Sequence, residues 1–246
     1  MNKLCMLIIM VMSAFFLVGC LDPDDETARL IEQYEDYVTY DIADQHIFNE
    51  FINDVSNEIM PGVVLVRMTL RNKFNVMIRV SEGTGFIYKT TNNLLHVVTP
   101  YDVVYSGDDT LISTYEVVDF ADRNYSATLV DLSEDDQMAK LQFNANISIT
   151  KLHSIKLANQ DPLTQEPLMM LSNYQSIRNA MTMGMLIDIN RDDFIYRTTL
   201  RSDEYSRGGI IINMRKEVTG MAIRYLVEEE TIEVYGVQAL KDYINN

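Results

Sequence analysis

The amino-acid sequence predicts an all-β protein with a short helical region before it. Between Gly62 and Tyr235, about a dozen short runs are rich in β-branched and aromatic residues and are separated by polar turns. Little of this region has helical spacing, which argues against strands alternating with helices and favours a sandwich or a barrel. The 246 residues suffice for one large all-β domain or two small ones.

The N-terminus is typical of a bacterial lipoprotein leader. Lys3 gives a positive start, and residues 4–18 form an apolar run of about fifteen residues, too short to span a membrane. The run leads into Gly19-Cys20, which resembles the lipobox, where cleavage precedes the Cys and its sulfur carries a diacylglycerol. An ordinary secretory signal with a chance Cys is the alternative, but the small Gly19 and the acidic residues after Cys20 favour a lipoprotein. We predict a signal peptide over residues 1–19 and lipidation of Cys20.

The predicted address and the composition limit the possible partners. Cys5 lies in the removed segment, so Cys20 is the one Cys left and no internal disulfide is expected. The formal net charge of −16 repels nucleic acid and anionic head groups. We therefore expect acyl chains, not a basic patch, to hold the protein at the membrane, with the domain in the periplasm or at the cell surface. No acidic cluster has the spacing of a calcium loop, and we expect neither a metal nor a cofactor.

An acidic tether and a helical lead over residues 20–46 precede the main domain, residues 47–246. Helical spacing of apolar residues continues until Pro61 and Gly62 end the pattern; the positions are Leu30, Ile31, Tyr34, Tyr37, Val38, Ile47, Phe48, Phe51, Ile52, Val55 and Ile59. The predicted strands then begin with residues 63–68, 74–80, 85–88, 94–99, 111–118, 127–132 and 138–143. Later Met residues are expected to fill the core; they are Met169, Met170, Met181, Met183 and Met185.

Several sequence blocks resemble trypsin-like serine proteases of the HtrA/Deg type. Residues 59–64 and 83–87 resemble the family's opening strand and its G-S-G-F-I motif. Residues 97–104 follow the pattern of the block that carries the catalytic His, and residues 136–143 that of the block with the catalytic Asp. Residues 205–213 resemble the nucleophile block, G-N-S-G-G-P-L. The order and spacing of these blocks make the resemblance more specific than any one of them.

This resemblance implies a fold as well as a function. It covers residues 47–244 and implies two six-stranded antiparallel β-barrels packed across a cleft. The N-terminal helical lead should lie against this body, and residues 232–244 should form a closing strand and a C-terminal helix. The PDZ domain that is usual in this family is not expected after Asn246.

The resemblance puts Asp102, Gln137 and Arg207 at the positions of the catalytic His, Asp and Ser. Arg207 is cationic at ordinary pH and has no lone pair with which to attack a carbonyl. Asp102 is a far weaker base than His near neutral pH, and Gln137 has no charge to stabilise an imidazolium. Glu204-Tyr205 also replaces the Gly that helps to shape the oxyanion turn. The resemblance therefore implies a protease fold without a catalytic triad, a pseudoprotease.

A displaced triad is the alternative, with Ser206 as nucleophile and His96 as base. His96 precedes two valines, as the family His does, and Ser206 directly precedes Arg207. However, the predicted strand over residues 94–99 places His96 in mid-strand, whereas the family His follows its strand. A nucleophile at Ser206 would also require an Arg inserted into the oxyanion turn. The sequence therefore favours the inactive protein.

Three functions fit these features. The first is a membrane-anchored pseudoprotease that binds a protein partner through the former substrate cleft or an exposed strand edge. The second is an active serine hydrolase that uses Ser206 and His96, and the third is a structural subunit of an envelope complex. For the first, we predict that Asp102 and Arg207 form an ion pair in place of the catalytic dyad. Breaking that pair on one side would cost up to ~3–5 kcal/mol if it is truly buried.

Overall fold

The structure, a computed structural model, describes residues 45–174, 177–191, 193–226 and 231–246. The predicted signal peptide, the predicted lipidation site Cys20 and the part of the predicted helical lead before Gln45 lie outside the described residues. The described chain forms two closed, antiparallel, six-stranded β-barrels, which is the double-barrel architecture that the resemblance implies. In the described part of the chain, no helix has the length and apolar character needed to cross a membrane.

The first barrel follows the chain from the helical lead. Its strands pair in the order β1-β2-β3-β6-β5-β4; they are β1 (Val63–Arg71), β2 (Met77–Thr91), β3 (Leu94–Pro100), β4 (Ile112–Val118), β5 (Asn124–Ser133) and β6 (Met138–Asn144). The interior is filled by side chains that alternate along the strands, such as Leu95 and Val97 of β3 and Leu141 and Phe143 of β6, all buried. The β-rich runs predicted from the sequence therefore form the walls of this barrel.

The second barrel repeats this arrangement. Its strands pair in the order β10-β11-β12-β9-β8-β7; they are β7 (Pro167–Tyr174), β8 (Ile177–Asn190), β9 (Ile195–Thr198), β10 (Ile210–Ile212), β11 (Val218–Leu226) and β12 (Thr231–Gly236). Met170, Tyr196 and Ile211 lie in its core. The prediction for the later Met residues holds for Met170 but is wrong for Met185, which is 48% exposed.

Helices lie at both ends of the described chain. Helix α1 (Gln45–Asp54) continues into a π-helical turn, Val55–Ile59, and a 3₁₀ turn, Met60–Gly62. Phe51 of the helix and Val55 and Ile59 of the π-helical turn are buried. Lys216, in the second barrel, forms ion pairs from its Nζ to Asp54 Oδ2 at 3.1 Å and to Glu58 Oε2 at 2.6 Å. The predicted helix against the body is thus present from Gln45 onwards.

The C-terminal helix also agrees with the prediction. Strand β12 leads directly into this helix, α4 (Val237–Asn245), whose side chains Val237, Leu240 and Tyr243 are buried. Lys140 of the first barrel places its Nζ 4.5 Å from the centroid of the Tyr243 ring, a cation–π contact. Burial raises the pKa of Tyr243, and the nearby Asp131 raises it further. Helix α4 therefore connects the end of the second barrel to the wall of the first. Two short helices of the described residues, α2 (Tyr101–Val104) and α3 (Ile147–Thr150), follow β3 and β6.

Candidate functional site

Asp102 lies just beyond the end of β3. Pro100 has an extended backbone and stands immediately before α2, so the strand turns sharply into that helix. Val103 and Val104 are buried and hold the helix on the barrel, whereas Asp102 is exposed. Because the helix is fixed on its apolar side, the Asp102 carboxylate remains on the surface of the molecule.

Gln137 lies beside this helix but its side chain closes its own turn. The backbone N–H of Tyr101 donates to the Gln137 carbonyl at 3.0 Å, which brings the β5–β6 turn next to α2. Gln137 adopts a left-handed backbone, φ 54°, and its Nε2 donates to the Glu134 carbonyl. In a triad, the third residue bonds to the general base. The structure places Gln137 near Asp102 through the backbone and gives its amide side chain a different partner.

Arg207 follows a capped 3₁₀ turn, Glu204–Ser206, in the second barrel. Asp203 is the N-cap, and its Oδ1 accepts hydrogen bonds from the Tyr205 backbone N–H and the Ser206 hydroxyl, both at 3.0 Å. The Asp203 backbone N–H in turn donates to Ser206 Oγ at 3.1 Å, which completes a reciprocal capping box. The segment directly before Arg207 is thus fixed by its own side chains.

The two barrels meet where Asp102 and Arg207 face each other. Arg207 Nη1 donates to Asp102 Oδ2 at 2.6 Å, so the predicted ion pair is present in the structure. The Arg207 side chain is 34% exposed and the Asp102 side chain is 46% exposed. The pair is therefore not buried, which was the condition for the larger energy. Water competes strongly for a pair with this exposure, which lowers the energy that the contact can contribute.

The donors of an oxyanion turn are partly occupied. The resemblance places Tyr205 where the family has a Gly that shapes this turn, and in such turns backbone N–H groups point at the developing negative charge. Here the Tyr205 N–H points at the Asp203 carboxylate, and the Ser206 N–H donates to the Asp203 carbonyl at 3.0 Å. A carboxylate of the protein itself therefore occupies one donor that a substrate oxyanion would need.

Gly208 and Thr84 connect the same turn to the first barrel. The Thr84 N–H of β2 donates to the Arg207 carbonyl at 2.8 Å. Gly208 has φ 78°, and a Cβ on it would lie 1.7 Å from the Thr84 carbonyl oxygen, so a side chain cannot be placed there without moving the backbone. The Gly at position 208 is thus explained by the close approach of two backbones.

Among the described residues, His96 and Ser206 share no hydrogen bond. His96 lies in mid-strand, paired with Lys89 and Gln142, and its ring centroid is 5.9 Å from that of Tyr88. Burial, together with the Lys89 charge, lowers its pKa. Ser206 is fully buried, and its hydroxyl donates to Asp203 Oδ1 and accepts from the Asp203 backbone N–H.

The sequence analysis missed the role of Asp203. The spacing Asp203-x-x-Ser206 has the form of an N-terminal capping box and was the available signal. The Tyr205 and Ser206 N–H groups donate to the side chain and the carbonyl of Asp203, so this residue fixes where both N–H groups point.

Comparison with known proteins adds no family to these observations. No protein-family model matches the chain, and no curated protein matches it. The two closed barrels are consistent with a trypsin-like double-barrel fold, and the resemblance otherwise rests on the sequence blocks.

Proposed function

We propose that this protein is a lipid-anchored pseudoprotease that binds a protein partner in the bacterial cell envelope. The observation that carries the proposal is the Asp102–Arg207 ion pair, which occupies the position where a catalytic dyad is expected. An Arg cannot serve as the nucleophile. A general base must take a proton from the nucleophile, and the guanidinium bonded to Asp102 does not give up its proton at ordinary pH. The occupied Tyr205 N–H supports the same conclusion, because it removes a donor for the oxyanion.

The surface around the ion pair is suited to a protein partner. Tyr205, beside Arg207, is 50% exposed, and Tyr105, at the end of α2, is 45% exposed. The Tyr105 ring stacks on Tyr101 with centroids 4.7 Å apart, which holds both rings in place. Tyr and Arg are the residues enriched at protein interfaces, and a ring that is already fixed loses little entropy on binding. The cleft between the barrels is therefore the binding surface in this proposal.

A fluorophosphonate probe tests the enzymatic part of the proposal. Such probes phosphonylate activated Ser nucleophiles with loss of fluoride. We expect no label on this protein, in contrast to an active serine hydrolase treated in parallel. Label on Ser206 that is lost in Ser206→Ala and in His96→Ala would replace the pseudoprotease with the displaced-triad hydrolase.

Photo-cross-linking tests the binding part. A cross-linker at Tyr205 in membranes should capture one discrete partner, and Arg207→Ala should reduce the yield. The matched position is Val130, 53% exposed on β5, which should capture nothing specific. Equal capture at both positions, unaffected by Arg207→Ala, would favour the structural subunit with no role for the cleft.

The anchor is tested separately at Cys20. Metabolic labelling with a fatty-acid probe should mark the wild-type protein and leave Cys20→Ser unlabelled. The Cys20→Ser protein should move from the detergent phase to the aqueous phase or keep its signal peptide. Unchanged lipid labelling and detergent partitioning would remove the lipoprotein from the proposal and leave the cleft experiments unaffected.

A further inference from the structure

The tip of the β1–β2 hairpin exposes a continuous set of large apolar side chains. We define this hairpin tip as residues 71–80. The exposed fractions are high for five of its residues, namely Phe74 74%, Val76 54%, Met77 57%, Ile78 55% and Val80 43%. Ile112 of the neighbouring strand β4, paired with Arg71, is 55% exposed. Single exposed hydrophobic residues are ordinary, but a contiguous group indicates an interaction surface.

The same tip is positively charged on an acidic protein. It carries Arg71, Lys73 and Arg79, and residues 68–81 contain no Asp or Glu. Arg71 donates to the Asn75 carbonyl at 3.3 Å and Arg79 to the Tyr105 carbonyl at 2.8 Å, contacts that leave their charges unneutralised. Within the described ranges, none of these three cations has a carboxylate partner. The formal net charge of −16 therefore conceals a local region of the opposite sign.

The turn at the tip is fixed in advance. Asn72 Oδ1 accepts hydrogen bonds from the backbone N–H groups of Phe74, at 2.9 Å, and Val76, at 3.0 Å. The Asn72 N–H also donates to the Val76 carbonyl at 3.0 Å, and Asn75 takes the left-handed conformation that the turn needs, φ 62°. A turn held by these bonds presents Phe74 to solvent without an ordering cost on binding.

Both faces of the hairpin ribbon are open to solvent at its tip. A β-bulge at Ile78 interrupts the alternation of side chains, and residues 77–80 are all exposed. A folded protein partner covers one face of a ribbon and leaves the other in water. A lipid interface surrounds the tip and covers both faces.

We propose that the hairpin tip inserts into the interface of an anionic phospholipid bilayer. Phe74, Met77 and Ile78 enter the boundary between head groups and acyl chains, while Lys73 and its neighbouring arginines contact lipid phosphates. Lys73 Nζ already lies 5.2 Å from the Phe74 ring centroid, so the apolar and charged groups reach the interface together. Ions screen the acidic body beyond a Debye length of about 8–10 Å, which lets the local charge dominate at the tip.

This contact goes beyond the proposed function and does not depend on lipidation of Cys20. One hairpin gives a weak and reversible attachment, whereas acyl chains give a durable one. The expectation that acyl chains alone hold the protein at the membrane came from the net charge of the whole chain. That average could not reveal the reversed sign at residues 71–80.

The absence of Trp from the sequence allows a sharp test. Phe74→Trp in the full chain carrying Cys20→Ser provides a single emission reporter at the tip. The control is Ile149→Trp in the same background, since Ile149 is 72% exposed on α3. Helix α3 lies beside Asn93, which accepts from the Ile147 N–H beyond the far end of β2, so the control sits at the opposite end of that strand from the tip.

The reporter is read with vesicles of phosphatidylglycerol and phosphatidylcholine that contain brominated acyl chains. We expect a blue shift and quenching for Phe74→Trp, neither for Ile149→Trp, and a weaker effect on pure phosphatidylcholine. Adding Lys73→Gln should weaken vesicle binding about fivefold, the effect of one cation at an anionic surface.

Three results would overturn the proposal. The Phe74→Trp emission could stay unchanged on vesicles that carry the protein down on sedimentation. The protein could remain in the supernatant altogether. The emission could instead shift with protein concentration in the absence of vesicles, which would identify a second copy of the chain as the occupant. None of these results bears on Cys20, whose labelling experiment stands apart.

Discussion

Arg207 of the second barrel and Asp102 of the first form a hydrogen-bonded ion pair, with Nη1 and Oδ2 2.6 Å apart. Both side chains keep about a third to a half of their surface in water. Exposed pairs contribute about 0.2–1 kcal/mol in double-mutant cycles, compared with about 3–5 kcal/mol for breaking a buried pair on one side. The energy expected from the sequence for a buried pair is therefore too large for this one.

A double-mutant cycle on Asp102→Ala and Arg207→Ala measures the pair directly. We expect a coupling free energy of about 0.2–1 kcal/mol in urea unfolding, reduced by added salt. Arg207 takes part in at least one further interaction, so only the coupling, and not the single Arg207→Ala effect, reports on the pair. A coupling of zero would show that the pair contributes nothing to the stability of the protein.

Gly208→Ala should destabilise the protein far more than a Gly substitution at an equivalent backbone angle. Gly107 is the matched control, because its φ is 70° and the nearest atom to an added Cβ is 3.8 Å away. Gly107→Ala should cost about 1–2 kcal/mol, the price of a left-handed backbone. Gly208→Ala adds a collision with the Thr84 carbonyl, and we expect at least about 3 kcal/mol in total. Similar losses for both variants would show that the turn yields easily.

Restoring the triad residues should not restore an enzyme. The triple variant Asp102→His, Gln137→Asp and Arg207→Ser places the expected side chains at the three positions. The Tyr205 N–H still donates to Asp203, however, and this leaves the oxyanion without one of its donors. We expect no fluorophosphonate labelling of the triple variant. Strong labelling would mean that the turn rearranges around the new Ser.

The Tyr125 hydroxyl should give the protein an alkaline stability loss. Tyr125 donates to the buried Asp119 carboxylate at 2.9 Å, and burial together with that bond raises its pKa to about 12. Below pH ~10, Tyr125 is protonated in both the folded and unfolded states, and its stabilising contribution is complete. Above that pH the unfolded chain ionises first, so the contribution is lost as the pH approaches 12.

Tyr125→Phe isolates this contribution. Urea unfolding at about pH 9 and about pH 11.5 should show a smaller fall in free energy for Tyr125→Phe than for the parent protein. Other tyrosines with raised pKa values, among them Tyr196 and Tyr243, are present in both proteins and cancel in the comparison. Identical falls in the two proteins would contradict the assignment to Tyr125.

Short β-rich runs between polar turns made much of the fold predictable. The strand predicted over residues 94–99 is β3 (Leu94–Pro100), a run of mostly apolar and β-branched residues. The strand predicted over residues 74–80 is wrong at its start, since a turn extends to Val76 and β2 begins at Met77. Apolar residues there signalled burial, whereas the Asn72 side chain caps a turn that exposes them. Hydrophobicity alone does not distinguish a core strand from an exposed tip.

The sequence predicted that Asp102 and Arg207 contact each other, but it did not predict how exposed the two side chains are. The spacing of two blocks brought Asp102 and Arg207 together, because residues that occupy dyad positions in one fold must face each other. Their exposure depends on how all the surrounding loops pack, which no local pattern encodes. The role of Asp203 depends on the direction of single N–H groups and became visible only in three dimensions.

The hydrogen bond from the Thr84 N–H to the Arg207 carbonyl joins the two barrels through backbone atoms, without the side chain at position 207. Any amino acid at 207 supplies the same carbonyl, so the side chain there is free to change while the connection between the halves persists. The neighbouring Gly208 has no such freedom, because a single methyl group would collide with Thr84. Sequence variation should therefore concentrate on the chemical group at 207 and spare 208. In a fold of this kind the side chain at the site can change, and with it the function, while the backbone contact between the two barrels stays the same.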